Sequence, residues 1–432
     1  MIKRSFIGLA KPRIEYEALD LTVPEPRIFP TSKKVTLLLN QAYEPFGKKN
    51  AVLLKKGDTV KTGQKLSLYE GSDVYVISSV TGSISSISPF LGEFGRSYTA
   101  IAIDVAEDEE MDEQFKALSV EPTMDIAKEY LSFIPGNPPA SLFSSGDTSP
   151  SIDTIVICGV DCDLLITANQ HALLSDEKAI AKGVGILKHI TGIENIIMAA
   201  PEHLMQNAGV SGAQVRVVDA EYPATLPRMI MQDILGKTVP AGKTCEEMGV
   251  CFVSAEAVAA IGMAFDQGYI PRYKKLNLIK KDGDSVMISA RIGTPVHEIF
   301  SAYDVTINEK DRIILGGPMT GSSIYSEHHP IQPDTSAIIV QDGRDLALVS
   351  DYPCINCGEC IRICPAKIPV NMLVRFLEAG KYEEAAEEYD LYSCVECGLC
   401  SFVCVSRMPI LHYIKLAKYE LGRISTAEAT NA

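Results

Sequence analysis

The chain has 432 residues, of which 46% are hydrophobic and 22% charged, and its formal net charge is −15. That length exceeds one ordinary hydrophobic core and predicts several domains. The negative charge argues against a nucleic-acid partner, which needs a basic surface. No run approaches the roughly 18–20 apolar residues of a membrane span. The apolar stretch near the N-terminus is too short for a secretory signal peptide. We therefore expect a cytoplasmic chain without a transmembrane span of its own.

The first part of the chain predicts an extended arm followed by a small β module. Residues 1–30 are rich in proline and charge, and in residues 31–106 short apolar runs alternate with glycine-containing turns. The stretch KKGDTVKTGQKL, Lys55 to Leu66, resembles the barrel-sandwich fold of lipoyl and biotinyl domains. Those domains carry a modified lysine at a hairpin where this chain has Ser78 and Ser79. We predict a scaffold rather than a carrier.

Residues 107–265 predict a doubly wound α/β domain. After an acidic segment and a loop rich in Pro, Gly and Ser, the runs TIVICGV, NIIMAA and AQVRVVDA look like buried parallel strands, and a stretch of helical spacing joins the first two. Asp161 and Asp163 follow the first run, at the strand end where ligands of open α/β sheets bind. They are either solvated carboxylates or an altered ligand site. Cys158 and Cys162 are more typical of small core residues than of a redox pair.

The last two segments are predicted as a strand-rich region, residues 266–345, and a helical region, residues 346–432. Within the first, RIGTPVHEIF predicts a turn into a short helix. His328 and His329 suggest a haem or metal ligand, but no second ligand lies at a suitable sequence spacing, so surface histidines are favoured.

Two cysteine runs in the helical region carry the strongest chemical signal. Each run reads C-x2-C-x2-C-x3-C, and together they contain eight of the twelve cysteines. Three thiolates on a tight loop can hold three irons of a cubane, while the fourth points away and serves the other cubane. Structural zinc usually needs two C-x2-C halves with a longer spacer, so zinc is the weaker alternative. The sequence predicts two [4Fe-4S] clusters, with the ligand sets Cys354, Cys357, Cys360 and Cys404, and Cys394, Cys397, Cys400 and Cys364.

With the cysteines placed, the chain resembles the RnfC family of the Rnf electron-transport complexes along nearly its whole length. The landmarks in order are KKGDTVKTGQKL, ICGVDCDLLITAN, LGKTVPAGKTCEEMGV, RIGTPVHEIF, LGGPMTG and the two cysteine runs. The resemblance implies a peripheral subunit of a membrane complex that couples ferredoxin oxidation and reduction of an acceptor, usually NAD, to ion pumping. It also implies a β-grasp domain of the SLBB type in residues 266–345, a ferredoxin-like domain in residues 346–432, and FMN and NADH on the α/β domain, as in the flavin subunit of respiratory complex I.

The motifs that hold FMN and NADH in this family are altered here. The glycine-rich flavin loop is replaced by IPGNPPASLFSS, residues 134–145, whose prolines remove backbone donors. The next motif survives in part, and it leaves Gly159, Asp161, Asp163 and Thr167 as the candidate cofactor-binding residues. The third motif has become YPATLP, without its glycines and carboxylate. We therefore predict that this domain is retained as architecture and binds neither FMN nor NADH.

The sequence thus favours a two-cluster electron relay on the cytoplasmic face of the membrane, and it offers no residue that we would assign as catalytic. Its expected partners are other subunits of an Rnf-type complex and a ferredoxin-like electron carrier. Three alternatives stay open: an FMN-containing NADH dehydrogenase subunit, a protein like the cobalamin reductases of bacterial microcompartments, and a non-enzymatic assembly platform with structural clusters.

Overall fold

A computed structural model describes residues 12–19, 25–40, 52–70, 72, 74–92, 97–143, 150–346, 349–350 and 352–431. Within these ranges, no helix combines the length and apolar character needed to pass through a bilayer. Residues 1–11 and 20–24 of the predicted arm lie outside the described residues, as do Ser144 and Ser145 of the altered flavin loop.

The described parts of the arm pair with segments far along the chain. The backbone N–H of Tyr16 donates to the carbonyl of Ala220 at 2.9 Å. Strand β1 (Arg27–Ile28) pairs in parallel with residues 288–289, and Phe29 is buried beside it. The arm therefore runs over the α/β domain and then joins a sheet of the following segment.

The β module is built from two small antiparallel sheets. Strands β2, β7, β6 and β3 form one sheet in that order, and β4 pairs with β5. Because side chains along a strand alternate between faces, Leu37, Ile101 and Ile103 all point into one core, where they are fully buried. The strands are β2 (Lys34–Leu39), β3 (Thr59–Val60), β4 (Lys65–Leu66), β5 (Val76–Ile77), β6 (Gly82–Leu91) and β7 (Ser97–Val105).

The hairpin tip that would carry a modified lysine in lipoyl domains is buried against the strand-rich segment. The Ser79 hydroxyl donates to the carbonyl of Ile292 at 2.6 Å, and the Arg291 guanidinium donates to the carbonyl of Ser79 at 2.7 Å. Arg291 also pairs with Glu109, whose carboxylate has a lowered pKa because it accepts this hydrogen bond. The tip serves as a joint between modules.

The α/β domain contains a parallel sheet in the order β10-β9-β8-β11. Helices α1 (Gln114–Leu118) and α2 (Met124–Tyr130) precede it. Strands β8 and β9 are almost continuously apolar because both faces of the sheet are covered there. Strand β10, which the sequence predicted as a buried strand, instead lies at the edge of the sheet, where Gln214, Arg216 and Val217 are exposed. The predicted helix between the first two strands is divided at Asp176. The elements are β8 (Thr154–Cys158), α3 (Ala168–Ser175), α4 (Glu177–Thr191), β9 (Asn195–Ala200), α5 (Met205–Gly209), β10 (Gln214–Val217), α6 (Pro227–Asp233), β11 (Val250–Ser254) and α7 (Ala255–Gln267).

The strand-rich segment forms a mixed sheet in the order β1-β13-β12-β16-β14-β15, so the arm supplies its edge strand. Helix α8 begins after Pro295, as RIGTPVHEIF predicts, and it buries Val296, Ile299 and Phe300 against the sheet. The elements are β12 (Tyr273–Ile279), β13 (Ser285–Arg291), α8 (Val296–Ala302), β14 (Arg312–Leu315), β15 (Ser322–Ile324) and β16 (Ala337–Gln341).

The C-terminal segment is helical, and the two longest of its described helices pack against each other. Leu373 and Leu377 face Ile414 and Ala417 in a core that also contains cysteines of both runs. The helices are α9 (Glu359–Ile363), α10 (Val370–Glu378), α11 (Tyr382–Glu388), α12 (Leu399–Phe402) and α13 (Ile410–Asn431).

Helices α4 and α7 touch through glycines. A Cβ atom added to Gly262 would lie 1.9 Å from the carbonyl oxygen of Ala179, and one added to Gly183 would lie 2.1 Å from that of Val258. Neither distance is possible without moving backbone, so the spacing of the two helices depends on these residues.

We predict that Gly262→Ala lowers the free energy of unfolding by about 2–3 kcal/mol, because the helices must separate. Gly185→Ala is the matched control. Gly185 lies on the exposed side of α4, and a Cβ there meets no atom within 4 Å. Alanine at this position should raise stability by about 0.5–1 kcal/mol through helix propensity. Urea unfolding followed by circular dichroism compares the two, and equal effects would contradict the close packing.

Candidate functional site

The two cysteine runs are copies of one backbone unit displaced by 40 residues, as the steps from Cys354 to Cys394 and from Cys364 to Cys404 show. In both copies a short helix follows the second cysteine and a longer helix follows the fourth. Positive φ angles recur at the same steps, at Asn356 and Glu396, Gly358 and Gly398, and Lys367 and Arg407. The repeat of spacing in the sequence is thus a repeat of loop geometry.

The cysteines gather around two cavities, each of which takes three cysteines from one run and the fourth from the other. One cavity is lined by Cys354, Cys357, Cys360 and Cys404. The other is lined by Cys394, Cys397, Cys400 and Cys364. Ligation of iron by these thiols stays a prediction.

Backbone amides in the loops donate to the sulfur atoms. The N–H groups of Asn356 and Glu396, equivalent in the two copies, each lie 3.4 Å from the sulfur two residues before, on Cys354 and Cys394. Met408 N–H makes the same contact with Cys404. Such bonds favour the charged thiolate, which is the form that binds metal.

Burial opposes that charge on the inner thiols. It raises the pKa of Cys360 to about 11 and that of Cys397 to about 12. Burial also raises the pKa of Cys394, while the ammonium of Lys418 acts in the opposite direction. Burial therefore favours the protonated form of these thiols, and a metal centre that bound them would have to displace the protons.

Four thiols around each cavity match the donor set of a cubane cluster. Among the described residues, no group of three or more His, Cys, Asp or Glu side chains converges closely enough to hold a single metal ion.

The two copies differ in their surroundings. In the second copy, the hydroxyl of Tyr222 donates to the carbonyl of Cys397 at 2.7 Å, and Gly398 packs so tightly on the Met319 carbonyl that a Cβ would lie 2.6 Å from it. In the first copy, Cys357 is exposed and Ile355 is 63% exposed. One cavity therefore faces the rest of the protein, and the other lies near the outer surface.

The candidate flavin residues lie at the carboxyl ends of the parallel strands, where they contact other parts of the chain. Gly159 follows β8, and a Cβ there would lie 2.5 Å from the Leu173 side chain. The Asp161 carboxylate is buried and accepts bonds from the backbone and side-chain N–H groups of Asn169 at 3.1–3.2 Å. Burial raises the pKa of Asp161 to about 7, against the lowering effect of the Asn169 amide.

The other two residues join the domain to the mixed sheet. The buried Asp163 carboxylate accepts from the N–H of Met319 at 3.2 Å and from the N–H and hydroxyl of Thr320 at 2.7 and 2.6 Å. The N–H of Thr167 donates to the side chain of Asn277 on β12 at 3.0 Å. Asp163 and Thr167, which the sequence predicted as cofactor-binding residues, are therefore engaged in contacts between domains.

At the crevice between β8 and β11, where the strand order reverses and ligands of such sheets bind, the chain's own groups contact the start of α7. The N–H groups that open α7 are bonded to Ser254 and to Asn169. Gly136 of the altered flavin loop lies on this helix start, where a Cβ would lie 2.5 Å from the Ala257 nitrogen. An anion therefore finds the donors of this helix end already bonded.

Glu256, in the first turn of α7, forms a buried ion pair with Lys274. Sequence reasoning missed both residues, together with the role of Ser254. Ser254 had a usable signal, because a serine between an apolar strand and a helix is a preferred N-cap. Lys274 had none, since a lysine within a strand pattern is ordinarily solvent-facing.

Two family models match parts of the chain. Residues 25–110 match a model described as the RnfC barrel sandwich hybrid domain, and residues 139–263 match one described as the Nuo51 FMN-binding domain. The α/β fold and the barrel-sandwich module predicted from the sequence are thereby confirmed.

Whole-chain relatives extend the match. The C subunit of an ion-translocating oxidoreductase complex from Serratia proteamaculans is 28% identical over 94% of this chain and 60% of its own length. The C subunit of a proton-translocating ferredoxin:NAD(+) oxidoreductase complex from Clostridium ljungdahlii is 28% identical over 91% of this chain and 89% of its own. The chain thus spans less than two thirds of the Serratia protein. A chain of an NAD+-reducing [NiFe]-hydrogenase aligns with a TM-score of 0.40 at 11% identity, over 61% of this chain and 55% of that one, too loosely to support any conclusion.

We predict that Asp161→Asn changes the pH dependence of stability. The folded protein holds the Asp161 proton up to about pH 7, whereas the unfolded chain releases it near 3.8, the ordinary pKa of an aspartate. The native protein therefore loses stability as pH rises through this window, and the neutral asparagine does not. Relative to the native protein, the variant should gain stability as pH rises from about 4 to about 7, with no further gain above that. Urea unfolding at a series of pH values tests this, and a difference that stays constant with pH would contradict the buried, raised carboxyl.

Proposed function

We infer that this chain, a relative of the RnfC components of ion-translocating oxidoreductase complexes, relays single electrons through two [4Fe-4S] clusters. The observation that carries the proposal is the arrangement of the cysteines, in which each cavity draws three from one run and one from the other. We assign Cys354, Cys357, Cys360 and Cys404 to one cluster, and Cys394, Cys397, Cys400 and Cys364 to the second. When bound, the clusters would supply reversible one-electron transfer.

The chain's own residues prepare both cavities for that role. Gly358 and Gly398 hold the positive φ that brings the loop backbone toward the cavity. The amides that donate to Cys354, Cys394 and Cys404 offset the negative charge of thiolates. Apolar packing from helices α10 and α13 excludes water from the inner walls.

The proposed domain organisation follows the predicted boundaries: arm 1–30, barrel-sandwich domain 31–106, α/β domain 107–265, β-grasp domain of the SLBB type 266–345, and two-cluster ferredoxin-like domain 346–432. The mixed sheet with helix α8 packed against it supports the β-grasp assignment. The duplicated cysteine loop and helix pair support the ferredoxin-like one.

We propose that the α/β domain holds the other modules together and has lost its FMN and NADH site. The support is the start of α7, where Ser254 and Asn169 already accept bonds from the N–H groups of Ala257 and Glu256 and Gly136 packs closely. The second candidate function is that of an FMN-containing NADH:ferredoxin oxidoreductase. The match of residues 139–263 to an FMN-binding domain model favours it.

In the proposed setting the chain lies on the cytoplasmic face of the membrane and exchanges electrons with other subunits of its complex or with a ferredoxin-like carrier. The exposed first cysteine run is the natural point of exchange. Ile355, Tyr352 and Val405 are 63%, 78% and 47% exposed around it, and apolar side chains of this kind mark surfaces that bind proteins.

The crossed ligation can be tested in a Cys357→Ala/Cys360→Ala background, which leaves the second cluster, about half of the iron. Adding Cys404→Ala should leave the iron content and the electron paramagnetic resonance spectrum of the remaining cluster unchanged. Adding Cys364→Ala should remove or convert that cluster, because Cys364 is its fourth ligand. The reverse result would mean that each run binds its own cluster, and Cys245→Ala is the control for loss of a distant thiol.

The absence of a working nicotinamide site predicts the outcome of a reduction experiment. Anaerobically purified protein supplied with FMN is mixed with NADH, and cluster bleaching is followed by visible absorbance. Dithionite should bleach the clusters and NADH should not. Bleaching by NADH at a catalytic rate would refute the loss of this site and restore the second candidate function.

A further inference from the structure

In the structure, His328 lies beside a second histidine that the sequence spacing did not reveal. The Nδ1 atom of His328 lies 3.2 Å from the Nδ1 atom of His297, which is 31 residues earlier in the chain. The two rings are 4.6 Å apart between centroids and tilted by 72°. The pair lies at the surface of the mixed sheet, outside both cysteine runs, and His328 is exposed.

Backbone hydrogen bonds fix the two histidines relative to each other. The N–H of His297 donates to the carbonyl of Glu327 at 2.8 Å, and the N–H of Val296 donates to that of His329 at 3.0 Å. A bridge between Pro295 and Pro330 closes the same loop. The first turn of α8 and residues 326–329 therefore form one preorganised unit.

Two Nδ1 atoms that face each other at this distance require a proton or a metal ion between them. A neutral imidazole carries one N–H and one lone pair, so the atoms can share a proton or jointly bind a metal ion. Imidazole nitrogens bind zinc at about 2.0–2.1 Å, and two such bonds across the observed 3.2 Å enclose an angle of about 100°, close to tetrahedral.

We propose that His297 and His328 form a binding site for a divalent transition-metal ion of the zinc class, with water in the remaining positions. Imidazole suits zinc, copper and nickel rather than magnesium or calcium. Among the described residues no third His, Cys, Asp or Glu side chain completes the pair, so water would supply the other ligands. The exposure of His328 leaves the ion a path from solvent.

Metal binding here would stabilise a contact between two modules. Tyr325, three residues before His328, packs its ring 6.4 Å from that of Phe90 and donates its hydroxyl to the carbonyl of Leu91 at 3.1 Å. Phe90 and Leu91 belong to β6 of the barrel-sandwich module. A metal that ties residues 326–329 to α8 therefore also holds the segment that reaches this module.

The test is equilibrium dialysis of the anaerobically purified holoprotein against Zn²⁺, with zinc and iron counted together so that cluster loss is visible. The native chain should hold one zinc that depends on the pair. His297→Ala and His328→Ala should each weaken that binding by at least the roughly 10–100-fold that loss of an outer-shell partner costs. Zinc should also raise the melting temperature of the native chain and not that of either variant.

His189→Ala and His203→Ala remove exposed histidines elsewhere, on the α/β domain, and should leave zinc binding unchanged. The proposal is overturned if the His297→Ala/His328→Ala double variant binds zinc as the native chain does, since the bound ion would then belong to thiols. It is equally overturned if the native chain binds no zinc at millimolar concentration, in which case the pair is a hydrogen bond between imidazoles.

Discussion

The buried carboxylate of Asp163 joins the α/β domain to the loop after β14, and this loop in turn contacts the cysteine region. It accepts hydrogen bonds from the backbone of Met319 and from Thr320, so it fixes the loop after β14 against the end of β8. The other side of that loop supports the cysteine region, because the Met319 carbonyl contacts Gly398 and the Thr320 carbonyl accepts from Lys415 at 2.8 Å. The position of the second cysteine cavity relative to the α/β domain thus depends on Asp163 and this turn, together with the Tyr222 hydroxyl that donates to the Cys397 carbonyl.

This arrangement explains how the α/β domain can keep its fold while the residues at the carboxyl ends of its strands, where ligands bind in such sheets, change. The bonds at the carboxyl ends of the strands now run to backbone amides of a neighbouring module, and a buried amide left without its partner costs about 1–3 kcal/mol. Replacing Asp163 or Thr167 would therefore weaken the joint between domains. Residues at this edge are constrained by architecture as strongly as catalytic residues are by chemistry.

The sequence predicted the features that depend on local spacing and left out those that depend on long-range contact. The local spacing of the cysteines predicted two sets of thiols. Continuous apolar runs predicted the α/β fold, and the resemblance of KKGDTVKTGQKL to lipoyl and biotinyl domains predicted the barrel-sandwich module. The roles of Asp161 and Asp163 could not be predicted, because their partners, Asn169 and Thr320, are chosen by packing. His297 was missed for the same reason, since nothing in the sequence places it opposite His328.

The pairing of the arm has a consequence for synthesis of the chain on the ribosome. Strand β1 pairs with residues 288–289, and Tyr16 with Ala220, so the arm is made long before either partner exists. At about 5–20 residues per second, β1 waits roughly 10 to 50 seconds for its neighbouring strand. During that interval Phe29, buried in the finished protein, has no core to enter. The α/β domain can close first, and the arm is laid across it as one of the last steps.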